Sequence, residues 1–460
     1  MMTSTAPPIP LRLWAVATIT GAGAFMAMLD STVANLALEA IRADFDASLA
    51  KAQWVATGYL IALAVSLPLT GWLSRRFGQS RLWIISTFGF ILASALCALS
   101  SDLWVLVIAR CLQGLAAGLM VPAGQALLSR IADRRQLGRL MGTVGFAVAL
   151  GPALGPGFGG MLIDTLSWHW LFWINVPLGA LALIAGRTML PMDESPQESQ
   201  LDGRGIVMMG IGLPLLLYGT AEIGASGLEL ISLASFALGM SLTAAFLWTA
   251  RNAAVPLIDM RLLNRPGFTM AVAVSGLTGA AMYGGLLLFP LYFQDVLRQS
   301  PTEAGLMLLA MGLGSALALP FAGVLTDERG PAVVCFAGGI LLVIGTAPFF
   351  AMPLLPSTGF AVLLFLRGIG LALAQMPAMT AAYGAVEKHE TGDAATLVNI
   401  GQRLGGALGA IATVIVLEHG SPVDDASFQW ALLLLFGFAL AALFMSRGLP
   451  GTGTRPKPLA

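Results

Sequence analysis

Asp30 and Arg110 each stand inside a long run of apolar residues. Charge in that setting is costly, and in membrane segments it marks a substrate, ion or proton pathway. Asp30 lies eight residues before the outer end of the first run (14–38), and Arg110 seven residues into the fourth (103–128). At about 1.5 Å of helix per residue, both sit roughly 10 to 12 Å below the same surface and can meet. A carboxyl group set between burial and a guanidinium can exchange a proton under physiological conditions. The chemistry expected of the pair is therefore proton transfer, with Asp30 loaded from one side and unloaded to the other. A static ion pair joining two helices is the structural alternative. Two further arginines, Arg367 and Arg403, fall within later apolar runs. Arginine stays charged, so each must face a cavity, an acceptor or backbone carbonyls, and both are candidates to meet an anionic or strongly polar cargo group. Asn399 and Gln402 lie beside Arg403, and Asn35, Tyr59 and Gln113 complete the polar candidates for a substrate cavity.

The elements that carry these residues are membrane spans. The chain has 460 residues, 57% hydrophobic and only 10% charged, with a mean hydropathy of +0.83. That composition excludes a soluble domain and predicts an all-α integral membrane protein. Fourteen runs of about 20 residues, each long enough to cross a hydrocarbon core as helix, recur along the sequence. The outer loops of this arrangement hold Arg42, Lys51 and Arg298, the membrane holds Arg110, Arg367 and Arg403, and the rest of the 24 Lys and Arg fall inside. The positive-inside bias therefore predicts a multi-pass membrane protein with both termini cytoplasmic. Formal net charge is zero, which indicates no nucleic-acid partner. The three cysteines lack a C-x-x-C spacing and the three histidines are scattered, so neither a disulfide framework nor a metal site is expected. No lysine follows a glycine, which excludes a P-loop and ATP as the energy source. No nucleophile stands with a matching base, so an enzyme is not expected. A gradient is left to supply the work, a proton gradient if Asp30 is the coupling group, and no cofactor is expected.

An internal repeat organises the spans. P-L-T-G-W-L-S-R-R-F-G at residues 68–78 matches P-F-A-G-V-L-T-D-E-R-G at 320–330, at an offset of 252. A weaker echo pairs G-P-A-L-G at 151–155 with G-G-A-L-G at 405–409. The copies end the second and tenth spans, eight apart rather than six, so two helices are inserted between six-helix halves. The expected division is 1–190 for the first bundle, 191–266 for linkers and the inserted pair, and 267–460 for the second bundle. Paired halves of this kind form transporters that open alternately to each side.

Four motifs in order are specific enough to name a family. They are M-L-D-S-T-V-A-N-L-A-L (28–38), W-V-A-T-G-Y-L-I-A-L-A-V-S-L-P-L-T-G-W-L (54–73), I-A-R-C-L-Q-G-L-A-A-G (108–118) and W-H-W-L-F-W-I-N-V-P-L-G (168–179). Together they resemble the fourteen-spanner drug:proton antiporter branch of the major facilitator superfamily, the EmrB- and QacA-like exporters, over nearly the whole chain. The resemblance implies the fold of that superfamily and proton-driven export of amphipathic or lipophilic small molecules. An uptake symporter or facilitator, or a dedicated exporter of one metabolite, lipid or peptide, is the alternative.

The resemblance also assigns roles to two loops and a helix. In this family the segment Gly151, Pro152, Gly155, Pro156, Gly159 and Gly160 is the antiporter motif, expected here to break the fifth helix and form a tight, bent seam between the halves. Gly71, Arg75, Arg76 and Gly78 form the loop of an inner gate, where the family commonly carries an aspartate at the position of Arg75. Asp327 supplies an acid at the matching point of the second half. The last outer connection, His419 to Ser427, is short where EmrB-like members often carry an insert, which weakens the expectation of a periplasmic adaptor partner. The partners expected are protons, a small-molecule substrate and the lipid bilayer.

Overall fold

Backbone N–H and C=O groups cannot be left unpaired in hydrocarbon, and helices pair them within one segment. The computed structural model describes residues 8–191, 202–226, 229–252, 256–351, 357–418 and 425–450, and no strand occurs among them. The first half contains α1 (Leu11–Leu36), α2 in two segments (Trp54–Ser66 and Leu69–Phe77), α3 (Gln79–Ala98), α4 (Leu103–Ile131), α5 (Leu137–Thr165) and α6 (Asn175–Met189). Next come α7 (Gly203–Ser226) and α8 (Leu230–Asn252). The second half contains α9 (Pro266–Leu291), α10 (Pro301–Arg329), α11 (Pro331–Thr346), α12 (Ser357–Gly384), α13 (Thr391–Glu418) and α14 (Asp425–Met445).

Twelve of the described helices are long and apolar enough to cross a membrane, and the bent α2 makes a thirteenth. The fourteenth expected span is α5, whose described apolar stretch is the shorter Leu137–Gly151. The fifth helix differs in shape from the sequence expectation, and the second carries a bend. The second is not straight: its segments meet at 58° where Pro68 interrupts the ladder. The fifth is not broken, since α5 runs without interruption from Leu137 through both prolines to Thr165.

Helix ends carry their own signals. Asp102 caps α4 by accepting the N–H groups of Trp104 (2.8 Å) and Val105 (3.2 Å), and Ser300 with Glu303 forms a reciprocal cap on α10. Gly78 and Gly330 both adopt φ 87°, turning the chain sharply into α3 and α11. These two glycines are the last residues of the repeated motif, and a side chain would be strained at either.

Packing repeats as the turns do. In the first half α1 packs on α5 and α4 on both α2 and α3; in the second α9 packs on α13 and α12 on both α10 and α11. Contacts between the halves run chiefly from α5 to α10, and from α13 to α4 and the second segment of α2. The inserted helices pack on each other, and α7 also touches α2 and α13, so it straddles the boundary. Large apolar side chains such as Ile85, Leu92, Ile108, Leu181 and Phe321 remain exposed, as expected of a surface facing lipid tails.

Candidate functional site

Asp30 of α1 is the centre of a closed polar cluster. One carboxylate oxygen accepts Arg110 Nη1 at 2.5 Å, and the other accepts Gln113 Nε2 at 2.8 Å and Asn175 Nδ2 at 3.0 Å. Ser94 Oγ on α3 accepts a second proton from each of those amides, at 2.8 and 3.0 Å. Arg110 also donates to Gln113 Oε1 (2.7 Å) and to the carbonyl of Val55 (3.1 Å), and its guanidinium lies 4.2 Å from the Tyr59 ring centroid. Residues from α1, α2, α3, α4 and α6 thus converge on one carboxylate. The arrangement suits an ionised acid, because three donors share its two oxygens. A proton on Asp30 would remove the charge paired with Arg110 and weaken the charge-assisted bonds it accepts from α4 and α6 together. The expected meeting of Asp30 and Arg110 is found. The water access that proton loading from one side requires is not found: the two residues are 2% and 1% exposed in this conformation.

The other candidates separate. Gln113 and Tyr59 belong to the Asp30 cluster and not to a cavity wall, and Tyr59 donates its hydroxyl to the Ala27 carbonyl at 3.3 Å. Arg367 is 0% exposed, so it faces no cavity. It donates to Thr346 and to the Ala281 carbonyl (2.8 Å) and lies 5.2 Å from the Phe289 ring centroid. Those groups of α9 and α11 hold it, on α12, inside the second half. Asn399 crosses the midline and donates to Gln125 Oε1 of α4 at 3.0 Å, which also accepts Tyr383 Oη at 3.2 Å. Arg403, one turn further along α13, is half-buried and makes no hydrogen bond or ion pair among the described residues. The main chain of Gln402 packs against Gly279 within the second half, and the side chain of Asn35 lies outside the described residues.

The glycine-rich segment of α5 does not lie between the halves. A Cβ on Gly151 would stand 2.6 Å from Met28 Cβ, one on Gly155 2.9 Å from Thr32 Cγ2, and one on Gly159 2.8 Å from Val33 Cγ1, all on α1. It closes α1 onto α5, the helix that carries Asp30 included, while a Cβ on Gly160 would meet nothing. The true seam is nearer the other end of α5, where Gly138 and Gly142 meet Gly323 and Leu319 of α10.

Two ion pairs close that seam on the side of the termini. Arg75, at the end of α2, pairs with Asp393 at the start of α13 and donates to the Leu257 carbonyl at 3.2 Å. Asp327, at the end of α10, accepts Arg139 Nε at 2.9 Å together with the N–H groups of Gly138 (2.7 Å) and Arg139 (3.0 Å) at the start of α5. Gln79 adds a bond to Thr391 at 2.7 Å. Gly71 lies against Asp393, where any side chain would collide with the carboxylate. Arg76 is exposed and takes no part, and Gly78 serves as the turn.

The profile described as Major Facilitator Superfamily matches residues 20–410 and 273–459. The chain belongs to the Major Facilitator Superfamily. It is 34% identical over 407 residues to a multidrug resistance protein B homolog of Mycobacterium tuberculosis, covering 86% of this chain and 74% of that protein. It is 31% identical over 400 residues to the multidrug export protein EmrB of Haemophilus influenzae, covering 85% and 78%. In fold it is similar to the proton:xylose symporter XylE, with a TM-score of 0.68 at 16% identity over 97% of this chain and 98% of that one. The human organic anion transporter MFSD10 superposes with a TM-score of 0.66, also at 16% identity. The family resemblance drawn from the four motifs is therefore correct, and the chain is a multi-pass membrane transporter of small molecules.

Several residues of this superfamily member escaped the sequence reading. Asn175 lies within the W-H-W-L-F-W-I-N-V-P-L-G motif, but a lone asparagine at a helix start reads as a cap. Ser94, Gln125 and Tyr383 carry no charge to draw attention. Asp393 and Arg139 could have been found from the repeat: Asp327 matches Arg75 at the offset of 252, and Asp393 matches Arg139 at the offset of 254.

Proposed function

We propose that this transporter is a proton-coupled antiporter that exports amphipathic or lipophilic small molecules from the cytoplasm by alternating access. It consists of six-helix bundles over 1–190 and 267–460, with linkers and two inserted helices at 191–266. Both termini are cytoplasmic, the proton gradient is the energy source, and the paired ions Arg75–Asp393 and Arg139–Asp327 form the inner gate. The observation that carries the proton coupling is the Asp30 carboxylate, buried and held by donors from three residues on two other helices. Protonation removes its charge, and the guanidinium of Arg110, buried without its counter-ion, then favours rearrangement of the cluster. Cargo export is supported by the relatives named for multidrug resistance and export.

In this reading Arg403, with Asn399 one turn earlier on α13, contacts cargo. A half-buried guanidinium with no ion pair among the described residues repels cations and attracts acids, so the favoured substrates are neutral or weakly acidic lipophiles. The test is uptake into sealed inside-out vesicles under an imposed pH difference, comparing an acidic uncoupler with a cationic dye. Accumulation of the acid in preference to the dye, scaling with the pH difference, is expected. Equal accumulation with and without the pH difference would overturn the coupling, and preference for the dye would overturn the cargo assignment.

A further inference from the structure

Residues 256–265, which lead from the inserted pair into α9, are not a surface loop. Leu257 and Ile258 are fully buried in the main apolar core. A buried loop must find partners for its backbone polar groups, because no ladder of its own supplies them. Leu257 finds both partners in side chains of other elements. Its N–H donates to Asp202 Oδ2 at 3.2 Å, and its carbonyl accepts Arg75 Nη2 at 3.2 Å. Asp202 stands at the start of α7, where its Oδ1 also accepts the Gly205 N–H at 2.8 Å and caps the helix. Arg75 gives its other terminal nitrogen, Nη1, to Asp393. A chain of contacts thus runs from the first inserted helix to the ion pair, through Asp202, Leu257, Arg75 and Asp393. The far end of the linker is held as well. Asp259 accepts the Arg261 N–H at 2.9 Å at the start of the short helix Met260–Asn264, and Arg265 grips Glu390 at 2.6 and 2.9 Å, three residues before Asp393. Along its length α7 meets both halves: a Cβ on Gly210 would lie 3.9 Å from Val65 of α2, and Ile223 clusters with Ile411 and Val414 of α13.

We infer, resting on the reading of Arg75–Asp393 as part of the inner gate, that Asp202 is a positioning residue for that gate. It holds the Leu257 main chain where the carbonyl fixes the Arg75 fork for Asp393, so the inserted helices stabilise the closed terminal side. An acid takes the N–H and a base gives to the carbonyl of the same buried residue, and each bond is strengthened by the charge of its partner. Opening the gate withdraws Arg75 and strands the Leu257 carbonyl without its donor, at the cost of an unmade buried hydrogen bond. That cost opposes opening only while Asp202 pins the residue in place. With Asp202 withdrawn, the linker can turn the carbonyl toward water, and the closed state loses its advantage. The inserted pair therefore acts on the gate without touching cargo or Asp30.

The test uses the full-length protein reconstituted in lipid, with spin labels on the ends of α2 and α13 to report closure and thermal unfolding to report stability. Asp202→Ser keeps a good cap for α7 but is too short to reach Leu257. It is expected to shift the population about three- to tenfold toward the open terminal side, with little change in unfolding temperature. Gly205→Ala is a second variant, because an added Cβ would collide with the Asp202 carboxylate and displace the acid without removing it. A shift in the same direction is expected. Arg75→Lys keeps the charge opposite Asp393 but loses the fork that reaches Leu257. Adding Asp202→Ser to Arg75→Lys is therefore expected to produce no further shift, whereas a role confined to capping α7 would leave the gate population unmoved. A full, additive shift on top of Arg75→Lys would overturn the inference. So would Asp202→Ser and Gly205→Ala proteins that stay closed while Arg75→Asp opens, and in that outcome the gate reading survives. If Arg75→Asp also stays closed, the gate reading fails together with the role of Asp202.

Discussion

At the scale of single residues, the balance of the Asp30 cluster decides what each substitution does. Removing the arginine strands a buried carboxylate, whereas Asp30→Asn keeps a side chain of the same size and one acceptor. Arg110→Ala is therefore expected to cost about 3–5 kcal/mol and Asp30→Asn clearly less, as read by thermal unfolding in detergent. Equal losses would show that the pair is not a balanced unit. The sequence made Asp30 and Arg110 legible because charge is rare in apolar runs, and the same signal misled at Arg367. That residue is equally charged and equally embedded, but a hydroxyl, a carbonyl and an aromatic face hold its terminal nitrogens and ring-facing plane inside its own bundle, while its Nε stays buried without a hydrogen-bond partner. One-dimensional sequence shows that a charge is present, and only packing shows whether a neighbour has already claimed it. Arg403, half-buried and without an ion pair among the described residues, is the arginine left to act. Arg403→Gln is expected to raise KM for an acidic substrate severalfold with little change for a neutral one, in the vesicle assay described above. A change of the same size for both would remove its role in charge selection.

Among the elements, the contact between α1 and α5 fixes where Asp30 sits. Gly151 lets the backbone of α5 approach that of α1, since an added Cβ would stand 2.8 Å from the Leu29 nitrogen. Gly151→Ala is expected to destabilise the protein by about 1–3 kcal/mol through overpacking. At Gly160 an added Cβ meets nothing, so Gly160→Ala is expected to be neutral or slightly stabilising, about 0.4–1 kcal/mol. Comparable losses at both positions in thermal unfolding would contradict this account of the segment. The spacing of its glycines was readable, but the partner was not. Small residues every four positions announce a close helix neighbour without naming it, and the expected neighbour in the other half proved to be α1. The straightness of helices was also hidden: Pro68 bends α2 by 58°, whereas α5 continues through Pro152 and Pro156.

Across the whole molecule, duplication explains both what was legible and what the repeat conceals. The matching turns at Gly78 and Gly330 share φ 87°, and the packing of α1–α6 recurs in α9–α14. Within that symmetry, the two ion pairs at the seam carry opposite polarity. Arg75 faces Asp393 in one, and Asp327 faces Arg139 in the other. The arginine at position 75, which looks like the loss of a gate residue when read alone, is compensated by an acid where the other copy has an arginine. Exchange of both members should therefore be tolerated better than exchange of one. Arg75→Asp is expected to shift the population about tenfold or more toward a conformation open on the terminal side, and Arg75→Asp with Asp393→Arg to restore closure. Distances between spin labels on the ends of α2 and α13 report the shift. A double exchange no better than the single one would mean that the pair is not the latch.

The most direct test of the account is the response of export to protonation of one side chain. In sealed vesicles, the unmodified protein is expected to accumulate cargo in proportion to an imposed pH difference. Asp30→Asn is expected to exchange labelled for unlabelled cargo at equilibrium while losing that dependence entirely. Uphill accumulation by Asp30→Asn that still tracks the pH difference would contradict the claim that this carboxylate couples the proton to transport.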